Sequence, residues 1–216
     1  MKFKAVLFDL DGTLINSIVD IADSMNVVLK KRKFPEHSIN EYMKFIGNGI
    51  IELVISSLPQ NKRDKKTVEE CEKEMREIYA EKWLQKTYIY KGIPELLDEL
   101  TKRNYKLAIL SNKPHKYTKK IVEILFDKWN FDIVFGAKNG VAKKPDPVLA
   151  FEISKILNIS CEQFIYVGDS ATDMQTAINS GMYPVGVSWG YKSIKEIKES
   201  GAKKIISNPL ELLDIF

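Results

Sequence analysis

An α/β fold built on a parallel sheet is predicted by two features of this chain: alternation of strand-like and helix-like segments, and one long all-helical exception to it. Short apolar runs rich in β-branched residues recur at 4–10, 105–111, 133–136, 164–169, 184–187 and 204–206. Amphipathic patterns fill most of the intervals, at 94–103, 116–126, 147–157, 171–180 and 193–199. Strand, helix and strand in succession give parallel pairing, and continuous apolar strands suit a sheet covered on both sides. From 16 to 88 only helical patterns occur, far more chain than a crossover needs. The fold class is therefore α/β: a Rossmann-like parallel sheet with helices on both faces, plus an inserted all-helical domain.

The first strand carries Ala5-Val6-Leu7-Phe8 and runs into Asp9-Leu10-Asp11-Gly12-Thr13. Alternation along a strand puts Asp9 and Asp11 on one face and Leu10 on the other. Two like charges buried together are costly unless a cation or shared proton relieves them, so the pair suggests a hard metal such as Mg2+. The plainer alternative is an Asp-Gly turn with one aspartate solvated or capping a helix. Next come helical patterns at 18–31, 49–57 and 65–84, the first with the stripe Ile18, Ile21, Met25, Val28 and Leu29, which reads as core. Gly47-Asn48-Gly49 offers either close backbone approach to a small anionic substrate or a helix–helix turn. The expected division is a core of 1–15 and 89–216 and an insertion of 16–88. Within the core, Pro94 after Gly92-Ile93, and the pairs Asp146-Pro147 and Asn208-Pro209, mark helix starts by a capping residue and proline in the first turn.

With 216 residues, 44% of them hydrophobic, the chain can bury a substantial core. A formal charge of +4 from 33 basic and 29 acidic residues is too small and scattered to predict a nucleic-acid partner. Cys71 and Cys161 lack Cys-x-x-Cys spacing, so neither a disulfide framework nor a zinc site is indicated, and a reducing cytoplasm fits. No apolar signal core opens the sequence and no stretch is long enough to span a bilayer, so no membrane partner is expected. His37 and His115 are the only histidines, which leaves few candidates for a Ser-His or Cys-His mechanism. Carboxylates must carry the chemistry.

In an open parallel sheet, ligands bind at the carboxyl ends of the strands. There the chain places Asp9 and Asp11, then Ser111-Asn112-Lys113, then Lys143-Lys144-Pro145, then Gly168-Asp169-Ser170-Ala171-Thr172-Asp173. These groups meet the needs of phosphoryl transfer: a nucleophile, a cation, and donors for the equatorial oxygens. Asp9 can attack phosphorus, and Asp11 can protonate the departing oxygen and later deprotonate water. Asp169, with Asp9 and the Asp11 carbonyl, can ligate Mg2+; Asp173, four residues on, can be a ligand or support one. Ser111 offers a hydroxyl and Lys144 a fixed positive charge. Taken singly, Ser111-Asn112 could cap a helix, Lys144 could lie on the surface, and Gly168-Asp169 could be a turn.

The ordered set resembles the haloacid dehalogenase superfamily, in its magnesium-dependent phosphatase branch, over the whole chain. The resemblance implies Asp9 as nucleophile and Asp11 as general acid/base. It also implies Thr13, Ser111, Asn112 and Lys144 at the phosphoryl group, and Asp9, Asp11, Asp169 and Asp173 at Mg2+. The insertion becomes a cap that closes over the site, with Gly47, Asn48 and Gly49 as candidate substrate contacts. Ser111-Asn112-Lys113-Pro114, Ile46-Gly47-Asn48-Gly49 and Val187-Ser188-Trp189-Gly190-Tyr191 further resemble phosphoglycolate phosphatases, whereas Asn16-Ser17 stands where many relatives have Asp-Ser. The implied activity is hydrolysis of a small phosphorylated metabolite, first 2-phosphoglycolate, by a cytoplasmic monomer or homodimer. A sugar-phosphate mutase and an inorganic pyrophosphatase remain open on the same core. So does a phosphate-binding regulatory module.

Overall fold

The computed structural model describes residues 3–216. Its main sheet consists of β1 (Ala5–Phe8), β4 (Lys106–Pro114), β5 (Ile133–Ala137), β6 (Phe164–Gly168), β7 (Tyr183–Val187) and β8 (Lys204–Ile206), after a short β2 (Ile15–Asn16) and β3 (Tyr88–Ile89). The spatial order is β5-β4-β1-β6-β7-β8 and every neighbouring pair is parallel. Chain progression therefore runs outward in both directions from β1, and the switch point lies at its carboxyl end, the place where such sheets leave a crevice.

Alternation along the strands divides the core. Val6, Phe8, Leu107, Ile109, Ile165 and Val167 pack in one cluster with α5 (Ile93–Lys102), α6 (His115–Leu125) and a final 3-10 segment, Pro209–Ile215. Ala5, Leu7, Ala108, Leu110, Phe164 and Tyr166 face the opposite way, onto α7 (Val148–Leu157) and α8 (Ala171–Ser180). Helices thus cover both faces, as the sequence predicts, and a last short helix, α9 (Ile194–Glu199), buries Ile197.

Between β2 and β3 the chain forms α1 (Ile18–Lys31), α2 (Ile39–Phe45), α3 (Ile50–Ser57) and α4 (Lys65–Lys82). Their apolar faces make a separate cluster that contains all five residues of the α1 stripe. Tyr117, from α6, reaches into that cluster. At the base of these helices β2 and β3 pair antiparallel, Ile15 with Ile89 and Asn16 with Tyr88. The Asp20 carboxylate, buried on α1, accepts hydrogen bonds from Lys86 N, Thr87 N and Thr87 Oγ1, which fastens the outgoing segment to the incoming helix.

Four expectations need correction. Strand β1 ends at Phe8, ahead of both aspartates; Gly12, at φ +87°, folds the chain back so that Asp11 bridges Ile15. β4 continues to Pro114, three residues beyond the predicted end. Helix α7 starts at Val148 with Pro147 as its N-cap, although Asp146 Oδ1 does accept the Val148 N–H. The Asn208-Pro209 start is correct in kind, but it opens a 3-10 segment.

Candidate active site

The parallel register delivers three chain segments to one place. Phe8 pairs with both Ile109 and Val167, so Asp9 lies just beyond β1, Ser111 near the outer part of β4, and Asp169 just beyond β6. The Asp9 N–H donates to Val167 O at 2.9 Å, which locks the first carboxylate beside the fourth segment. Carboxylate oxygens of Asp9, Asp169 and Asp173 all lie within 4.8 Å of one another, and all three residues are buried. The Lys144 ammonium enters between two of them, 2.8 Å from Asp9 Oδ1 and 2.6 Å from Asp173 Oδ1.

Three buried carboxylates against one ammonium leave excess negative charge. Burial pushes Asp9 up to about 7; the Asp173 charge adds to this and Lys144 opposes it. Asp169 is raised by burial, then by Asp173 and Asp9. Lys144 remains a cation because Asp173 and Asp9 outweigh the burial that would lower it. Asp9 Oδ1 has the Lys144 ammonium, shared with Asp173, as its partner among the described residues. Three buried carboxylates sharing one ammonium are a donor set that fits a hard divalent cation.

Each carboxylate is held differently. Asp169 accepts the Tyr191 N–H at 2.7 Å and the Thr13 hydroxyl at 3.4 Å. Gly12 and Gly190 flank it so closely that a Cβ on either would overlap its side chain. Asp173 accepts Ser170 N and Oγ on one oxygen, and Lys144 and the Tyr166 hydroxyl on the other. That makes it the residue that orients Lys144. Asp11 stands apart from the acidic group: both its oxygens accept from Lys113 Nζ, at 3.0 and 3.1 Å, and Oδ1 also from Ser17 Oγ. Its carboxylate is thus not a candidate ligand, and the backbone carbonyl named from the sequence is its remaining route to a metal.

A cavity above these groups is lined by Asp9, Asp11, Ser111, Lys144 and Asp169 from the sheet end, and by Gly47 and Gly49 from the α2–α3 loop. Three expected contacts are corrected. Thr13 is fully buried and spends its hydroxyl on Asp169 rather than facing the cavity. Asn112 lines the cavity, but its carboxamide accepts Lys144 N and donates to Lys144 O and Gly47 O, so it braces the lysine loop. Asn48 turns away from the cavity and accepts the Thr172 hydroxyl at 3.1 Å. Of the two late aromatics, Tyr191 lines the cavity, while Trp189 packs on the core and donates Nε1–H to Thr13 O.

Several site residues had no assignment from the sequence. Lys113 is buried against Asp11, and Ser17 N and Oγ engage the Tyr191 hydroxyl and Asp11. Lys192 Nζ donates to Met43 O and Lys44 O at the end of α2. Lys113 is visible in the sequence only as part of Ser111-Asn112-Lys113 and Ser17 only as part of Asn16-Ser17; Lys192 follows Tyr191 with no signal of its own.

Known proteins are similar to this chain throughout its length. A phosphoglycolate phosphatase of Psychrobacter arcticus is 30% identical, covering 100% of this chain and 94% of its own length. One from Aquifex aeolicus is 34% identical over 188 residues, 87% of this chain and 86% of its own. The crystal structure of a provisionally named phosphoglycolate phosphatase from Lactobacillus delbrueckii subsp. bulgaricus superposes with a TM-score of 0.93 at 28% identity, covering 100% and 98% of the two chains. The sequence profile described as haloacid dehalogenase-like hydrolase matches residues 6–187, the span that holds all four site segments, and the chain belongs to that family of hydrolases.

Proposed function

We propose that this hydrolase is a Mg2+-dependent phosphomonoesterase acting on a small phosphorylated metabolite in the cytoplasm, with 2-phosphoglycolate as the first candidate. The observation that carries the reading is the meeting of Asp9, Lys144, Asp169 and Asp173 in one buried cluster below a cavity. The relatives' shared name supports the substrate. Among the described residues no helix is long and apolar enough to cross a membrane.

Asp9 and Asp169, with the Asp11 carbonyl, would hold the metal, which supplies positive charge to the carboxylates and the phosphoryl oxygens. Asp9 attacks phosphorus in line, the ester P–O bond breaks, and an aspartyl-phosphate forms. Lys144 and the Ser111 hydroxyl hold non-bridging oxygens. Asp11 gives its proton to the departing oxygen, then takes one from water as that water attacks phosphorus and frees Asp9 with inorganic phosphate. The 16–88 segment acts as a cap, hinged where β2 and β3 pair, over the core of 1–15 and 89–216; closing it excludes water.

Phosphate release with Mg2+ across short phosphoesters, nucleotides, sugar phosphates and pyrophosphate tests this. The expected profile puts 2-phosphoglycolate first and loses all activity in chelator. Sugar phosphate isomerised without phosphate release would instead establish a mutase.

A further inference from the structure

Two polar groups that line the cavity have no contact with substrate in the proposed chemistry. Tyr79, on α4, is buried and lines the cavity, yet among the described residues its hydroxyl makes no well-directed hydrogen bond, the Lys113 ammonium being its charged neighbour. Burial pushes it up to about 12, so it remains an O–H donor at neutral pH. The Lys113 ammonium, from the end of β4, lies 5.0 Å from the centroid of the Tyr79 ring and also lines the cavity. A buried hydroxyl left unsatisfied is costly, and a buried ammonium has three N–H donors to place. The two converge from the sheet and from the helical insertion on a cavity whose lining also includes the apolar Ile21, Ile50, Leu53, Met75 and Tyr117.

Every cation of the cavity has a carboxylate or carbonyl partner, and Lys113 differs from the rest in that its partner is Asp11. Lys144 is held by Asp9 and Asp173, Arg76 is bonded to Glu72 on its own helix, and Lys192 is bonded to the end of α2. Lys113 also touches Asp11, the residue assigned to the departing oxygen, so an anion that reached it would be attached only a few bonds from that oxygen.

Resting on the phosphatase reading above, we propose that Lys113 and Tyr79 are the specificity-determining residues of that site, forming the subsite that takes the carboxylate of the leaving group. The ammonium supplies the charge and the tyrosine hydroxyl a directed hydrogen bond. The apolar lining residues set the size and disfavour a neutral polar group, which would lose water without gaining a charge-assisted bond. Both residues determine specificity; the reacting atoms stay with Asp9 and Asp11.

The test compares kcat/KM with Mg2+ for 2-phosphoglycolate and its neutral analogue 2-hydroxyethyl phosphate in wild type, Lys113→Met and Tyr79→Phe. Wild type is expected to prefer the acid by about 100-fold, Lys113→Met to lose nearly all of that preference, and Tyr79→Phe to cut it by about 10-fold, chiefly through KM. Because Lys113→Met also strips Asp11 of a partner and slows both esters, the ratio is the readout. Tyr79→Phe, which removes only that hydroxyl, decides the matter if Lys113→Met does not fold. A preference unchanged in Tyr79→Phe, or an equal loss on both esters in Lys113→Met, overturns the subsite alone. A wild type that hydrolyses neither ester overturns the phosphatase reading and the subsite with it.

Discussion

At the scale of single residues, charge and directed hydrogen bonds do most of the work. Asp9→Asn keeps the shape of the side chain but removes the proposed nucleophile, so phosphate release is expected to fall by on the order of 10³-fold or more with unfolding unchanged or shifted upward, because a buried, raised carboxylate is replaced by a neutral amide. Measuring phosphate release beside a thermal melt checks both halves. Asn112→Ala attacks the site indirectly: it removes three hydrogen bonds and leaves Lys144 N and O without partners. We expect about 2–4 kcal/mol of lost stability by denaturant titration, with a fall in kcat/KM from misplacement of the Lys144 ammonium. Residue types and order pointed to Asp9, Asp169, Ser111 and Lys144. They could not separate a group that faces the cavity from one that braces it. Pattern alone therefore puts Thr13, Asn112 and Asn48 at substrate and gives Lys113 no role. That separation depends on rotamers and partners from 30 to 160 residues away, which local pattern does not encode.

At the scale of elements, length and cap chemistry decided what could be read. Each main-sheet strand had a continuous apolar run, and each of α5 to α9 had an amphipathic pattern between strands, so all were anticipated. The ribbon of β2 and β3 was missed because two residues per strand carry no periodicity. Helix α2 was missed although Ser38-Ile39-Asn40-Glu41 is a capping box followed by the buried Tyr42, a signal available from the sequence. Both arms of that box form, with Ser38 N donating to Glu41 Oε2 at 2.8 Å. Ser38→Ala is expected to cost about 1 kcal/mol, or about 2–4 °C in melting temperature, with kcat unchanged. A loss of activity without a loss of stability would mean that α2 shapes the α2–α3 loop beyond its own folding.

For the whole molecule, the balance of charge at the switch point links pH, metal and stability. In the metal-free protein Asp9 keeps its proton up to about 7, whereas an unfolded aspartate releases it near 3.8. Over that window the folded state binds more protons, so its stability from this site falls as pH rises from about 4 to about 7. In the proposed function a cation takes the place of those protons. Added Mg2+ should therefore raise the melting temperature more at pH 7.5 than at pH 5, and equal shifts at both would contradict the assignment. The parallel sheet was legible because its strands are covered on both faces; the meeting of helices with cavity was not, since it depends on how α4 and α6 bring Tyr79 and Tyr117 together. The β2–β3 ribbon has a further consequence. Residues 18 to 87 leave and rejoin the two-stranded β2–β3 ribbon at paired positions, so a different helical module with the same end-to-end spacing could be grafted there while the ribbon's register and the Ser17 contact to Asp11 stay as they are. Selectivity could then be exchanged like an interchangeable tool head, with the hydrolytic machinery conserved beneath it.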